Sequence, residues 1–186
     1  VYPLDYFTSF LKRGADLVCY GAKYFGAPHS TGVLAGRRDL VESAYLQGFM
    51  GFEATGYRTF GRMLKVDRQE VVAVVTALRQ WLTMDHEPRL LLHEARAERI
   101  IEALKGLPHV RARRLPPQGP STRIAVELDE AALGTTAAQV QEALRRGDPP
   151  IWVYTEGSSL RVATHTLRDG EEETVARRLR EELATR

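Results

Sequence analysis

One cysteine, Cys19, is the entire thiol content of this 186-residue chain. No intrachain disulfide can form and no cysteine-rich zinc site can be built, which accords with a reducing cytoplasm. No apolar run reaches the length of a membrane span, and no secretory leader is visible. An excess of charge of one sign is lacking too. Against 26 Lys and Arg stand 24 Asp and Glu, a formal net charge of +2, too small to argue for a nucleic-acid partner. There is no internal repeat and no low-complexity segment. What is present is ordinary for a soluble globular protein: 44% hydrophobic and 27% charged residues, enough to bury a core in one large or two small domains.

Against this plain background one stretch is unusual, Gly14 to Gly36. Two short apolar runs, Ala15 to Tyr20 and Gly32 to Ala35, flank a loop rich in small residues that holds a single lysine, Lys23. The pattern predicts buried strand, tight loop, buried strand, with Cys19 as a small buried apolar residue. Gly21 leads into the lysine, and glycines let a ligand approach the backbone closely. An amine held at the end of a buried strand has its pKa lowered and can form a Schiff base. The competing reading is a loop lysine with its charge in solvent.

Helices are predicted over Asp5–Arg13, stopped by Gly14, and over Asp39–Tyr45, with Leu40, Val41 and Ala44 inward. Gln47–Gly61 mixes glycines and aromatics without a period and reads as a long ordered loop. Val66–Met84 is the longest helical pattern. Val71, Val74, Val75, Leu78 and Leu82 form its inner face, Asp67 and Glu70 a capping box, and Pro88 its end. After residue 88 the order becomes helix 90–104, strands 110–115 and 123–128 around a 116–120 turn, a helix from Thr135 or Thr136 to Arg146, strands 151–154 and 159–163, and a helix 171–183 opened by Asp169 and Glu172. That order suggests a small antiparallel sheet with helices on one face.

The Gly14–Gly36 stretch resembles the cofactor-lysine segment of fold-type I pyridoxal phosphate enzymes. The similarity is to the group containing bacterial selenocysteine synthase and D-glucosaminate-6-phosphate ammonia-lyase. It rests on the GADLV run, a glycine-containing turn ending in Lys23, the GxPxSTGxLxG pattern of Gly26 to Gly36, the Arg37-Arg38-Asp39-Leu40 that follows, and Gly61-Arg62-Met63-Leu64-Lys65-Val66-Asp67. It resumes at Gly147–Ile151 and Thr166–Glu172. The resemblance implies an α/β fold, the C-terminal part of a fold-type I enzyme. Residues 1–88 would be the end of the large cofactor-binding domain and 89–186 a small C-terminal α+β domain. It implies pyridoxal 5'-phosphate as cofactor, Lys23 as its covalent anchor and as proton carrier, and a small anionic amino substrate. Loss of the alpha proton and beta-elimination, as in the ammonia-lyase, is the expected chemistry, with selenium transfer and transamination as alternatives. A homodimer or higher homo-oligomer is expected, in the cytoplasm and not in a membrane.

Further candidates follow from the same comparison. Arg62 and Lys65, three apart, suit an anionic substrate group; alternatively they form an exposed basic turn paired with Asp67 or Glu70. His29, Ser30 and Thr31 can donate to a phosphate, including that of a neighbouring subunit, or can serve the turn itself. Glu53, Tyr57 and Arg58 are candidates for substrate or subunit contact. Met84-Asp85-His86-Glu87 resembles metal-ligand material but has no second cluster and reads as a solvated helix end, so no metal is expected. Arg111, Arg113 and Arg114 read as an exposed strand face. The serine that many family members carry shortly before the lysine is absent, since Cys19-Tyr20-Gly21-Ala22 precede Lys23. The aspartate for the pyridine nitrogen would fall upstream of residue 1, so a fragment or truncated homologue is expected, or else a folded interaction module without a competent site.

Overall fold

The structure is a computed structural model that describes residues 3–56, 58–116 and 122–184. Tyr57 and most of the turn expected at 116–120 lie outside those residues. The chain divides into two compact units, Val1–Met84 and Asp85–Arg186, each of mixed helix and strand.

The first unit opens with helix α1 (Tyr6–Lys12) and strand β1 (Leu17–Gly21). A single 3-10 turn, Ala22–Phe25, and a loop lead to strand β2 (Gly32–Gly36). The two strands pair antiparallel, from Leu17 opposite Gly36 to Gly21 opposite Gly32. Among the described residues the sheet has these two strands, so one face packs and the other stays open. Tyr20 is buried and its hydroxyl donates to the Phe7 carbonyl at 2.7 Å. Cys19 and Leu34, paired on the opposite face, are exposed. The expectation of two buried strands and a buried Cys19 is therefore corrected, because a two-stranded hairpin cannot bury both faces.

Helices α2 (Arg38–Gln47), α3 (Phe49–Thr55) and α4 (Arg68–Thr83) complete the unit. Leu40 and Val41 of α2 are half-buried and Ala44 is exposed. The segment expected to be a loop is mostly helical: α3 fills its middle and a 3-10 turn, Phe60–Met63, ends it. Its glycines act by position. Gly48 precedes α3, and Gly56 ends it in the left-handed conformation at φ 70°. Gly51 sits inside the helix because a Cβ there would overlap the Leu46 backbone of α2, and one at Gly61 would overlap the Gln47 carbonyl. On α4 the buried face is Val74, Ala77, Leu78 and Trp81, packed with Ala22, Phe25 and Ala27. Val71, Val75 and Leu82 are exposed. Asp67 occupies the N-cap position without a side-chain cap bond, so the expected capping box does not form.

The second unit begins with α5 (Glu87–Leu104), in whose first turn Pro88 sits. A proline there lacks only an N–H the helix could not use, so Pro88 starts this helix and α4 ends independently at Thr83. His86 is buried and its ring nitrogen lies 3.1 Å from the Arg89 guanidinium, which corrects the solvated helix end. Strands β3 (Val110–Arg114) and β4 (Arg123–Leu128) follow, then α6 (Glu130–Leu133), α7 (Ala137–Arg146), β5 (Tyr154–Glu156), β6 (Ser159–Ala163) and α8 (Glu171–Ala184). The sheet order is β3-β4-β6-β5, all antiparallel. The fourth strand starts at Tyr154 instead of Ile151; Ile151 donates its N–H to the Leu144 carbonyl of α7.

Ile124, Val126, Leu160 and Val162 on one sheet face join Ile100, Val140, Leu144, Leu179 and Leu183 in a continuous apolar core. Each such side chain contributes roughly 1.5–3 kcal/mol. Thr136 and Gln139 make the capping box of α7. The second expected box does not form, because Asp169 and Glu172 turn to Arg96, a buried guanidinium of α5, at 2.6 and 3.5 Å. On α8, Arg178 donates to the Asp148 carbonyl at 3.1 Å and pairs with Glu182 at 3.0 Å. Its guanidinium lies where a Cβ of Gly147 would stand.

Candidate cofactor-lysine site

The 3-10 turn after β1 fixes Lys23 from both sides. Ala22 and Phe25 are buried against α4. The Ala22 N–H donates to the Thr31 carbonyl at 2.9 Å and the Ala27 N–H to the Ala22 carbonyl at 3.1 Å. Gly26 closes the turn at φ 92°, where nothing approaches a Cβ within 4 Å; conformation, not space, requires the glycine. Gly21 does face space limits, its Cβ position lying 3.3 Å from the Tyr24 ring.

With Ala22 and Phe25 inward, Lys23 and Tyr24 point out. Lys23 is exposed, and its Nζ lies 5.2 Å from the centre of the Tyr24 ring. Lys23 thus stands in a turn beyond the strand, not at the end of a buried strand. Among the described residues no carboxylate forms an ion pair with it. A free amine on a rigid turn fits a covalent cofactor anchor.

The phosphate candidates are arranged differently. Ser30 Oγ donates to Glu70 Oε1 of α4 at 2.6 Å, and Thr31 Oγ1 donates to the Pro28 carbonyl at 2.6 Å. Each hydroxyl has one proton, so both donors are engaged within the protein, and the Glu70 charge opposes an anion at Ser30. His29 is exposed at the loop. Lys23 and His29 are available to a phosphorylated cofactor as they stand; Ser30 and Thr31 would first have to rotate.

Arg62 and Lys65 converge on the aromatic side of α3. The Arg62 guanidinium carbon is 5.1 Å from the Phe49 ring centre and 4.9 Å from that of Phe52, and Lys65 Nζ is 5.1 Å from Phe49. Arg62 also lies 3.6 Å from Glu53, not beside Asp67 or Glu70. Cations held on ring faces keep most of their charge toward solvent. Arg58 is exposed. The described residues contain no cluster of three potential metal ligands, and no helix among them is long and apolar enough to cross a membrane.

Two partners were not visible in the sequence. Glu70 has the spacing of a capping box, and nothing local shows that Ser30 takes its carboxylate. Arg37 clasps Asp16 at 3.1 Å and Asp39 at 2.6 Å, joining the far ends of β1 and β2. Bonds to Asp39 first, then to Asp16, raise its pKa further. Asp16 falls within the segment singled out above and Arg37 and Asp39 directly follow it, but their spacing carries no sign of the clasp.

No family model matches the chain. A Streptomyces protein, 5'-C-glycyluridine monooxygenase-decarboxylase, is 32% identical over 179 residues, covering 93% of this chain and 42% of that protein. The L-seryl-tRNA(Sec) selenium transferase of Moorella thermoacetica is 29% identical over 195 residues, 91% of this chain and 38% of the transferase. D-Glucosaminate-6-phosphate ammonia-lyase superposes with a TM-score of 0.66 at 23% identity, over 95% of this chain and 46% of that one. The chain therefore spans less than half the length of each of these proteins. In fold the chain is similar to part of the ammonia-lyase, and in sequence to parts of the transferase and the monooxygenase-decarboxylase, which agrees with the resemblance to fold-type I pyridoxal phosphate enzymes. The resemblance is to the group of the selenium transferase and the ammonia-lyase.

Proposed function

We propose that this chain carries the lysine-bearing part of a pyridoxal-phosphate-dependent enzyme acting on an amino acid or amino sugar acid. The observation that carries the reading is Lys23, an exposed amine on a pinned turn, within a segment similar to the selenium transferase over nearly the whole chain. When bound, the cofactor supplies an electron sink for charge developing at the substrate's alpha carbon. Lys23 would hold the cofactor covalently, and its amine would then take the alpha proton. Arg62 and Lys65 attract the anionic group of the substrate. Gly21 lets the Tyr24 ring pack against the turn that carries Lys23, and His29, with Ser30 and Thr31 after rotation, meets the cofactor phosphate.

On this reading residues 1–88 are the end of a large cofactor domain and 89–186 a small one. Exposed Phe60, Met63, Leu64 and Val66 favour assembly with further polypeptide, including a second copy, in the cytoplasm. The reaction class is alpha-proton removal with beta-elimination. A second reading is favoured by the 32% identity to the monooxygenase-decarboxylase: loss of carbon dioxide with molecular oxygen as oxidant.

The test is reductive trapping. The chain, and the longest protein its reading frame encodes, are incubated with pyridoxal phosphate, reduced with borohydride and peptide-mapped. Label on Lys23, absent from Lys23→Ala, supports the anchor. A folded long form without label on Lys23 overturns it and leaves a non-catalytic assembly module. Oxygen uptake with carbon dioxide release, against ammonia release without oxygen uptake, separates the two reactions.

A further inference from the structure

Lys23 does not stand alone on its turn. Ala22 and Phe25 are buried, whereas Tyr24 is 63% exposed. The Tyr24 ring is nevertheless held on two sides. One edge lies 3.3 Å from where a Gly21 Cβ would stand, so it rests on bare backbone at the end of β1. Lys23 Nζ stands over the ring, 5.2 Å from its centre.

The chain has four lysines, and their surroundings differ. Lys105 pairs with Glu102, and Lys65 lies over Phe49, a ring it shares with Arg62. Lys23 lies over Tyr24, and among the described residues no carboxylate pairs with it. The other titratable groups on the elements around the turn are the Tyr24 phenol, Tyr20, whose hydroxyl donates to the Phe7 carbonyl, exposed His29, and Glu70, which accepts from Ser30. A ring face attracts a cation through its quadrupole and has no such attraction for a neutral amine. The contact over Tyr24 therefore distinguishes the two forms of the Lys23 nitrogen.

We propose that Tyr24 is the positioning residue of Lys23, a seat on which the charged amine rests until it loses its proton. This rests on the reading of Lys23 as cofactor anchor and adds how that anchor is held before use. Bonding to an aldehyde begins when the ammonium gives a proton to water. The nitrogen then adds to the aldehyde carbon, its two remaining hydrogens leave with the carbonyl oxygen as water, and nothing is oxidised or reduced. The ring holds only the species before the first step. It keeps an exposed amine on the turn and slows its capture by aldehydes. The phenol takes no part, so phenylalanine serves equally.

The experiment uses the full chain, unaltered and as Tyr24→Phe and Tyr24→Leu, substitutions at a largely exposed position. In proton NMR the Lys23 methylene resonance next to the nitrogen is expected upfield of that of Lys105, shifted by the ring current. The shift should persist in Tyr24→Phe and be lost in Tyr24→Leu. Each protein is then incubated with pyridoxal phosphate, reduced with borohydride after set times and peptide-mapped. Near neutral pH, Lys23 of Tyr24→Leu should take label about two- to fivefold faster than that of Tyr24→Phe, the range for a cation on an exposed ring. Lys65 and Lys105 should label alike in both. At about pH 11.5, above the ordinary lysine pKa of about 10.4, the gap should close. Equal rates near neutral pH, a gap that persists at the higher pH, or a ring-current shift that survives in Tyr24→Leu overturns the proposal and leaves the anchor reading intact. No label on Lys23 in these proteins or in the long form overturns the anchor reading, and the ring-current shift still decides the seat by itself.

Discussion

The hydroxyl of Ser30 donates to the carboxylate of Glu70 at 2.6 Å, joining the loop after Lys23 to the first turn of α4 across forty residues of chain. The bond sets a negative charge beside the loop proposed to meet a phosphate. Glu70→Gln keeps an acceptor for Ser30 and removes that charge. Pyridoxal phosphate should then bind about two- to fivefold more tightly, the range expected for one exposed charge. An absorbance titration of both proteins checks this, and equal or weaker binding by the variant would remove Ser30 from the phosphate site.

Gly51 and Gly61 are needed for close approach, not for flexibility, since a Cβ at either overlaps backbone of α2 or of the residues just after it. Alanine at either position should cost about 1–3 kcal/mol, the usual penalty for overpacking. Gly56 differs. It has open space and a left-handed φ of 70°, which asparagine tolerates. In urea unfolding Gly51→Ala and Gly61→Ala should lower the midpoint, and Gly56→Asn should leave it nearly unchanged.

His93 gives the second unit a pH dependence of known sign. Desolvation, then Arg89, Arg96 and His165, push its pKa below the ordinary 6.5. The unfolded chain therefore binds more protons than the folded one just below pH 6.5. Stability attributable to His93 is complete above that pH and is lost as pH falls through 6.5 toward the depressed folded value. His165 acts in the same direction. The unfolding midpoint should fall between pH 7 and 5, and His93→Gln should flatten that slope. An unchanged slope would show that His93 does not contribute.

Thr164 is fully buried and its hydroxyl lies 3.0 Å from the His93 carbonyl and 3.2 Å from that of Thr122. Valine has the same shape but no donor. Thr164→Val should cost about 1–3 kcal/mol for the acceptor left behind, whereas Thr166→Val, at an exposed position, should cost less than about 1 kcal/mol. Thermal unfolding of the two variants makes the comparison.

Where the sequence is governed by local rules it can be read directly. Strands 123–128 and 159–163 lie where apolar alternation puts them, and Thr136, one of the two expected caps, caps α7, with Gln139 as a partner the sequence reading did not name. Misreadings arise where a distant group intervenes. Glu70, Asp169 and Glu172 have capping spacing, but Ser30 and Arg96 take their carboxylates. The glycines of 47–61 look like loop residues because the close approach of α3 to α2 is a tertiary fact. On α4, alanine and tryptophan face inward while valines remain outside, so apolar character alone does not identify the buried side. Lys23 is a named candidate in the sequence, but that its amine stands clear of every described carboxylate is visible only in three dimensions.

Gly147 and Arg178 occupy one space between them, thirty-one positions apart in the chain. In genetic terms the two loci are epistatic. A Cβ at 147 meets only the guanidinium end of Arg178, so Gly147→Ala displaces that end from the Asp148 carbonyl, and shortening the arginine removes the conflict. The effect of a change at 147 therefore depends on what stands at 178, which makes the pair, and not either position alone, the unit on which substitution acts.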